Sequence, residues 1–329
     1  MAAAAAALSF TPFPKNSQSL LLSRRTAARF PSPFVGPLNP TVVPKYLSRV
    51  SGIVSLPKAF SSTDLLGFQE NALDFLRASP ATWNSSIASN LLIFTIGSPL
   101  LFAGLSELGI GSAFLLGVLT WRAFEAPGFL LVATYFVVGT AVTKLKMAQK
   151  ESLGVAEKRM GRRGPGSVIG SSAAACACAL LSIYNIGGSA YSEIWRLAFV
   201  ASFCTKLSDT VSSEIGKAYG TTTYLVTTLK VVPRGTEGAV SVEGTFAGLL
   251  ASILLAALGY FMGEVDASQI AICVLASQLA NLGESFIGAL FQEKAGFQWL
   301  NNDAVNVLNI SIGSILAVLM QLLILKGCH

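Results

Sequence analysis

The sequence predicts an all-α integral membrane protein, a polytopic bundle of about seven to eight transmembrane helices. Two observations carry this. Of 329 residues, 52% are apolar and only 12% are charged, against roughly a quarter charged in an average soluble domain. Apolar runs, most of them near the ~20 residues that cross a bilayer, recur from residue 87 to residue 325.

The N-terminal 63 residues are a different kind of chain. They hold seven basic residues and no acid, and Asp64 is the first carboxylate. They are rich in Ala, Ser, Thr and Pro and lack the apolar core of a secretory signal. An acid-poor, Ser-rich, Arg-containing leader reads as an organelle transit peptide, here plastid rather than mitochondrial. A short segment, 64–86, then leads into a membrane catalytic domain, 87–325.

Within that domain helices are expected at about 87–105, 110–121, 127–145, 167–186, 194–213, 245–262, 269–292 and 304–325. The second is short enough to be re-entrant or tilted. Cys176, Cys178, Cys204 and Cys273 fall inside apolar runs, where Cys acts as a small hydrophobe. No CxxC pair points to zinc or redox chemistry. The only histidine is His329, the last residue, which argues against a mechanism needing a His base or ligand.

Loop charge orders the topology. The loop 144–166 carries Lys144, Lys146, Lys150, Lys158, Arg159, Arg162 and Arg163 against Glu151 and Glu157. The positive-inside tendency places it on the stromal face of a plastid membrane. Counting crossings from there returns the loops 214–244 and 293–302 to that face. The turns 187–193 and 263–268 lie opposite and have no Lys or Arg. Every polar cluster then falls at one face.

The first cluster, 206–220, follows directly on an apolar run. A carboxylate at bilayer depth is costly unless it faces a cavity, a partner or a metal. On a continuous helix Thr205, Asp209, Ser212 and Gly216 form one stripe, and Glu214 points off it. A metal shared by Asp209 and Glu214 therefore requires a helix break near Ser213, and such a break is expected, with Asp209 on the cavity side and Glu214 at the mouth. The bland alternative is that Asp209 pairs with Lys206 or Lys217 and only shapes the helix end.

The second cluster spans 233–248. Glycines at 235, 238 and 244 permit tight turns and close backbone approach. Glu243-Gly244-Thr245 opens a helix whose free N–H groups can hold an anion, and Arg234 can clamp a phosphate. It is not a Walker loop. Gly244 and Gly248 also have GxxxG spacing, a helix-packing signal.

The third cluster is the stripe Ser277, Asn281, Glu284, Gly288 and Gln292. The fourth is Asn302, Asn306, Asn309 and Gly313, with Asp303 at its near-side end. Helix–helix hydrogen bonding accounts for Asn and Ser but poorly for Glu284 and Asp303. Carboxylates without His or Cys suit Mg²⁺. Mg²⁺ beside Arg, Lys and Gly-rich backbone suits phosphate. These residues alone read as a Mg²⁺–phosphate site at the membrane rim.

Four motifs in order, D-T-V-S-S-E-I-G at 209–216, R-G-T-E-G-A-V-S-V-E-G-T at 234–245, E-S-F-I-G-A at 284–289 and N-N-D-A-V-N at 301–306, resemble one integral-membrane family. It includes the plastid phytyl-phosphate kinases of vitamin E synthesis. The resemblance covers roughly residues 85–325. It implies phosphorylation of phytyl monophosphate to phytyl diphosphate, for tocopherol and phylloquinone, in the chloroplast envelope and in functional coupling with a phytol kinase. A more distant likeness to phytol and dolichol kinases and to CDP-diacylglycerol synthases implies CTP as donor. On this reading Asp209 and Glu214 hold metal, followed by Glu284 and Asp303. Lys217, Arg234, Gly235, Glu237, Gly238, Glu243, Gly244, Thr245, Asn281, Asn302 and Asn306 form the nucleotide and substrate site. Lys144, Lys146, Arg162 and Arg163 serve as further phosphate contacts or as anchors to anionic lipid. No nucleic-acid partner is expected. Two rivals remain: a transporter using the acidic stripes, and a CTP-dependent nucleotidyltransferase.

Overall fold

The computed structural model describes residues 80–292 and 294–327. The expected transit peptide, and the 64–86 segment up to residue 79, lie outside the described residues. The described chain is helical apart from short loops and a two-stranded ribbon.

Helix α1 (Trp83–Ile96) starts at Thr82, whose side chain accepts from the Ser85 N–H while Ser85 accepts from Thr82 in return. At Gly97 the chain bends by 79° into α2 (Ser98–Gly104), which has Pro near its start. Helix α3 (Glu107–Lys144) contains a break at Glu125, with φ 54° and ψ −154°, followed by Pro127. Pro cannot continue the hydrogen-bond ladder and disfavours helical geometry in the residue before it.

This break is a chain reversal. The Arg163 main-chain oxygen lies 2.5 Å from where a methyl at Gly109 would stand, and the Arg163 guanidinium 2.7 Å from one at Gly139. A straight helix of about 30 residues spans about 45 Å, so the two halves must run side by side. Trp121 and Phe129 close the turn, ring centroids 5.4 Å apart. The two helices expected at 110–121 and 127–145 are the two arms of α3.

After α4 (Met147–Ser152) and a 3₁₀ turn (Lys158–Gly161), α5 (Pro165–Ile183) begins at Gly164. Helix α6 (Ser189–Tyr219) is the centre of the bundle, packing against α3, α5, α7, α8 and α9. Its middle, including Leu197, Phe199, Phe203, Cys204 and Leu207, is fully buried. The ribbon β1 (Tyr224–Leu225) and β2 (Ala239–Val240) is antiparallel and leads into α7 (Val242–Phe261). Helices α8 (Ala267–Phe291) and α9 (Asn302–Gly327) complete the bundle.

By length and composition α3, α7, α8 and α9 can each cross a membrane, and the bent α1–α2 pair makes five. That is fewer than the seven to eight expected. Helix α3 is one of these spans although the chain reverses inside it. Helices α5 and α6 are not among the five. Helix α6 carries four ionisable residues near its C-terminal end, tolerable because neighbouring helices, not lipid, surround it.

Candidate functional site

A polar cavity of about 1000 Å³ opens at the end of the bundle where α5, α7 and α9 begin and α6 and α8 end. Its walls come from the loops 144–166 and 220–241, from the segment before α9, and from those helix ends. The basic lining residues are Lys158, Arg159, Arg162, Arg163, Lys206, Lys217 and Arg234. The acidic ones are Glu157, Asp209, Glu214, Glu237, Glu284 and Asp303. Three loops expected on one face do meet at one cavity.

Its floor is built by α6. Lys206 is 6% exposed and donates to Asp209 Oδ2 at 2.6 Å and to Asn306 Oδ1 at 2.6 Å. The bland pairing of Asp209 with Lys206 is therefore present. Asp209 nonetheless faces the cavity, which Glu284 on α8 also lines. Asn309 donates to Glu284 and to Asn281 Oδ1, the latter at 3.0 Å. Asn281 in turn donates to Ser208 Oγ at 2.9 Å. The Asn309 Oδ1 is buried and has no hydrogen-bond partner among the described residues.

Two expectations fail here. Helix α6 is continuous through Ser213 to Tyr219, so it does not break between Asp209 and Glu214. Glu214 is 2% exposed, with its carboxylate ion-paired to the fully buried Lys150 and 3.5 Å from Lys217 Nζ. Lys150 also donates to the Thr143 carbonyl at 2.6 Å. A carboxylate satisfied in this way is a structural anchor for α4. The four expected metal carboxylates do not converge, and among the described residues no group of three or more His, Cys, Asp or Glu forms a metal cluster. Asp303 stands at the start of α5, its carboxylate 2.5 Å from where a methyl at Gly166 would lie, a favourable place for negative charge.

Lys217 bridges the cavity edge, 2.9 Å from Glu157 and 3.5 Å from Glu214. Burial alone would raise the Glu157 carboxyl, but the Lys217 ammonium together with Lys206 and Arg163 holds the group below the usual range. Arg234, Gly235, Glu237 and Gly238 also line the cavity. Gly235 and Gly238 have φ of 81° and 72°. A side chain at Gly238 would run into the Ser285 carbonyl and Ala289, so its close approach fastens the loop to α8.

Five expected binding residues lie elsewhere, among them Lys146, whose ammonium sits 3.7 Å from the Tyr219 ring centroid. Lys144 is exposed at the end of α3 and does not line the cavity. Glu243 accepts from Thr221 N at 2.9 Å and Oγ1 at 2.7 Å, tying down the chain after α6. Gly244 packs on the Ser212 carbonyl and Gly216, so α6 and α7 cross closely. The packing reading of the GxxxG spacing is the one realised. Thr245 is exposed outside the cavity. Asn302 and Arg162 do line it, Arg162 donating through Nε to the Leu105 carbonyl at 3.2 Å. Arg163 donates to Tyr135 Oη at 2.7 Å.

Sequence reasoning gave Lys206 only a bland role and missed Tyr135 altogether. Lys206 is three positions from Asp209 on the same helix and was legible as its partner. Tyr135 gave no signal in an apolar run.

Comparison with known proteins adds the following. Residues 90–314 match the family described as integral membrane protein DUF92. The Arabidopsis thaliana protein named "Protein VTE6, chloroplastic" is 65% identical over 267 residues, 81% of this chain and 80% of its own. An uncharacterized membrane protein of Synechocystis sp. is 45% identical over 72% of this chain and 90% of its own. One from Methanocaldococcus jannaschii is 31% identical over 58% and 75%. No solved structure matches the chain.

Proposed function

The chain belongs to the integral membrane family DUF92, and from that premise we propose that it is a membrane kinase acting on phytyl monophosphate. It transfers the γ-phosphate of a nucleoside triphosphate, CTP by the family likeness, to give phytyl diphosphate for the vitamin E pathway. Its chloroplastic relative and its apolar helices make it a chloroplast membrane protein. Envelope location and a stroma-facing cavity are parts of the proposal.

One observation carries this reading: a polar cavity of about 1000 Å³, mixing carboxylates with Lys and Arg, at one end of an otherwise apolar bundle. Phosphoryl transfer asks a protein mainly for positioning and charge neutralisation. The acceptor is a phosphate monoester, largely dianionic near neutral pH, so its oxygen needs no histidine base. That oxygen bonds to the γ-phosphorus, the bond to the bridging β,γ-oxygen breaks, and the nucleoside diphosphate leaves. Arg234, Lys217 and the 158–163 basic segment line the walls that two phosphate groups would meet.

The donor set fits Mg²⁺. This ion is held through one or two carboxylates plus substrate phosphates rather than by an all-protein cage. Asp209 and Glu284, both lining the cavity, supply two carboxylates. Bound there, the ion would neutralise charge on the transferring phosphoryl group. Glu214 is left out of this set because Lys150 occupies it.

Translocation is less well supported. Beneath the cavity Phe199, Phe203 and Leu207 are fully buried in an apolar core, where a transport path would need polar lining. The test uses purified protein with phytyl monophosphate, Mg²⁺ and each nucleotide labelled in its γ-phosphate. Label in the diphosphate lipid is the expected result. Label only in pyrophosphate would mean nucleotidyl transfer. No turnover, with uptake into liposomes, would mean transport.

A further inference from the structure

Beside the polar cavity lies a second, apolar pocket of about 150 Å³. The two structural irregularities of the N-terminal half create it. The bend at Gly97 folds α2 over it, and the reversal at Glu125 brings both arms of α3 to its sides. Leu101, Leu105, Leu116, Phe129 and Phe136 are among its walls. Its closed end is the start of α5, where Ser171 and Ser172 donate to carbonyls of their own helix, at 2.6 and 2.7 Å. Those hydroxyls therefore present no unsatisfied donor to an apolar guest.

The pocket and the polar cavity share Tyr135, Arg163 and Ser171. Arg163 stands at the junction. It donates to Tyr135 Oη at 2.7 Å, and its guanidinium sits 5.0 Å from the Tyr135 ring centroid. Gly139 makes room for it, since a methyl there would come within 2.7 Å of Nη2. A guanidinium has five N–H donors in a fork suited to phosphate oxygens. On the other side, rim residues Leu100 and Val137 are 43% and 44% exposed on the outer face of the bundle, where lipid lies.

We propose that this pocket receives the head-proximal end of the lipid substrate's hydrocarbon chain, with Arg163 at the junction holding the phosphate it carries. The proposal rests on the prenyl-phosphate kinase reading above. Continuity with the polar cavity decides the occupant: a molecule seated across Tyr135 and Arg163 must be anionic on one side and apolar on the other. The volume decides how much of it enters. A cavity of this size accepts a molecule about as large as benzene, so roughly one isoprene unit is enclosed and the rest of the chain lies in the bilayer. The enzyme then discriminates the branching of the first unit and tolerates changes in total chain length.

The test has a binding arm that does not need turnover. Wild-type protein in nanodiscs, without nucleotide, is irradiated with phytyl phosphate carrying a diazirine in its first isoprene unit. Labelled peptides containing Leu101, Leu116, Phe129 or Phe136, suppressed by unlabelled phytyl phosphate, are expected. Labelling confined to lipid-facing positions of α7–α9, or labelling of the pocket that unlabelled phytyl phosphate leaves unchanged, as for a bulk lipid chain, overturns the proposal. In the kinetic arm, Ala113→Leu and Ala133→Phe fill the pocket. Each lowers kcat/KM for phytyl phosphate by about 10–200-fold and leaves the nucleotide KM in place, while farnesyl monophosphate stays within a few-fold of phytyl for the wild type. Full kcat/KM in a filled variant as thermally stable as wild type also overturns it. Failure of the kinase reading shows separately, as wild-type protein that transfers no phosphate yet is labelled in the pocket.

Discussion

Lys150 and Glu214, 64 residues apart in sequence, form an ion pair in which both side chains are almost wholly buried. It ties α4, in the basic loop, to the last turns of α6, directly under the polar cavity. Removing Glu214 leaves Lys150 as an uncompensated buried charge, and removing Lys150 leaves Glu214 only the longer contact to Lys217, at 3.5 Å. Lys150→Met or Glu214→Gln is predicted to destabilise the protein by about 3–5 kcal/mol, and Lys150→Met/Glu214→Leu by less than the sum of its single changes. Thermal unfolding of the detergent-solubilised variants reads this. Additive losses would show that the pair is not coupled.

Asp209 and Glu284 are only partly buried in the cavity wall, whereas Glu214 is buried against Lys150. Asp209→Asn is predicted to lower phosphoryl transfer by about 100-fold or more, with membrane insertion unchanged. Glu284→Gln is predicted to raise the Mg²⁺ concentration for half-maximal rate by about 10–100-fold. Initial rates across a Mg²⁺ titration check both. An unchanged Mg²⁺ dependence would remove Glu284 from the metal's donor set.

Gly248 carries no chemistry here, only proximity. A methyl at this position would lie 2.8 Å from the Ser208 carbonyl and 2.9 Å from Ser212 Cβ. Gly248→Leu therefore forces α7 away from α6, at about 1–3 kcal/mol or more. Lowered thermal stability with an unaltered nucleotide KM in the folded fraction is the expected pattern. A selective rise in nucleotide KM would point instead to a binding role for this helix start.

At the opposite end of the bundle, burial raises the Glu264 carboxyl to about 7, against a pull from Arg196 at 3.7 Å and with a further push from Glu125. A raised carboxyl pKa means that the folded state holds a proton the unfolded state has lost. Stability is then fully present below about pH 4.5 and declines as pH rises toward 7, by on the order of 3 kcal/mol in total. Glu264→Gln is predicted to flatten this window, as measured by unfolding temperature against pH. A slope that persists in the variant would assign it to other groups.

Much of the architecture was legible because membrane chains obey few rules. Apolar run lengths placed the helices, and the separation of basic from acidic loops grouped the loops that later met at one cavity. Even the two short runs around Pro127 were readable as separate helices. Helical periodicity also showed that Asp209 and Glu214 point in different directions. It did not show that the helix stays intact, nor that Lys150 arrives from another loop to neutralise Glu214.

Composition, run length and charge order, which act locally along the chain, determined a helical membrane protein with its polar clusters at one end. Tertiary structure alone decided which acids remain available to a ligand. Charge in a low-dielectric interior must find a partner, and partners such as Lys150 for Glu214 or Asn306 for Lys206 are distant in sequence. It also decided the roles of the glycines. Gly235 and Gly238 shape the cavity wall, whereas Gly244 and Gly248 let two helices touch, a distinction that exists only once a neighbouring backbone is in place. The apolar pocket is of the same kind: it exists because the chain bends at Gly97 and reverses at Glu125, and no single run of residues encodes it.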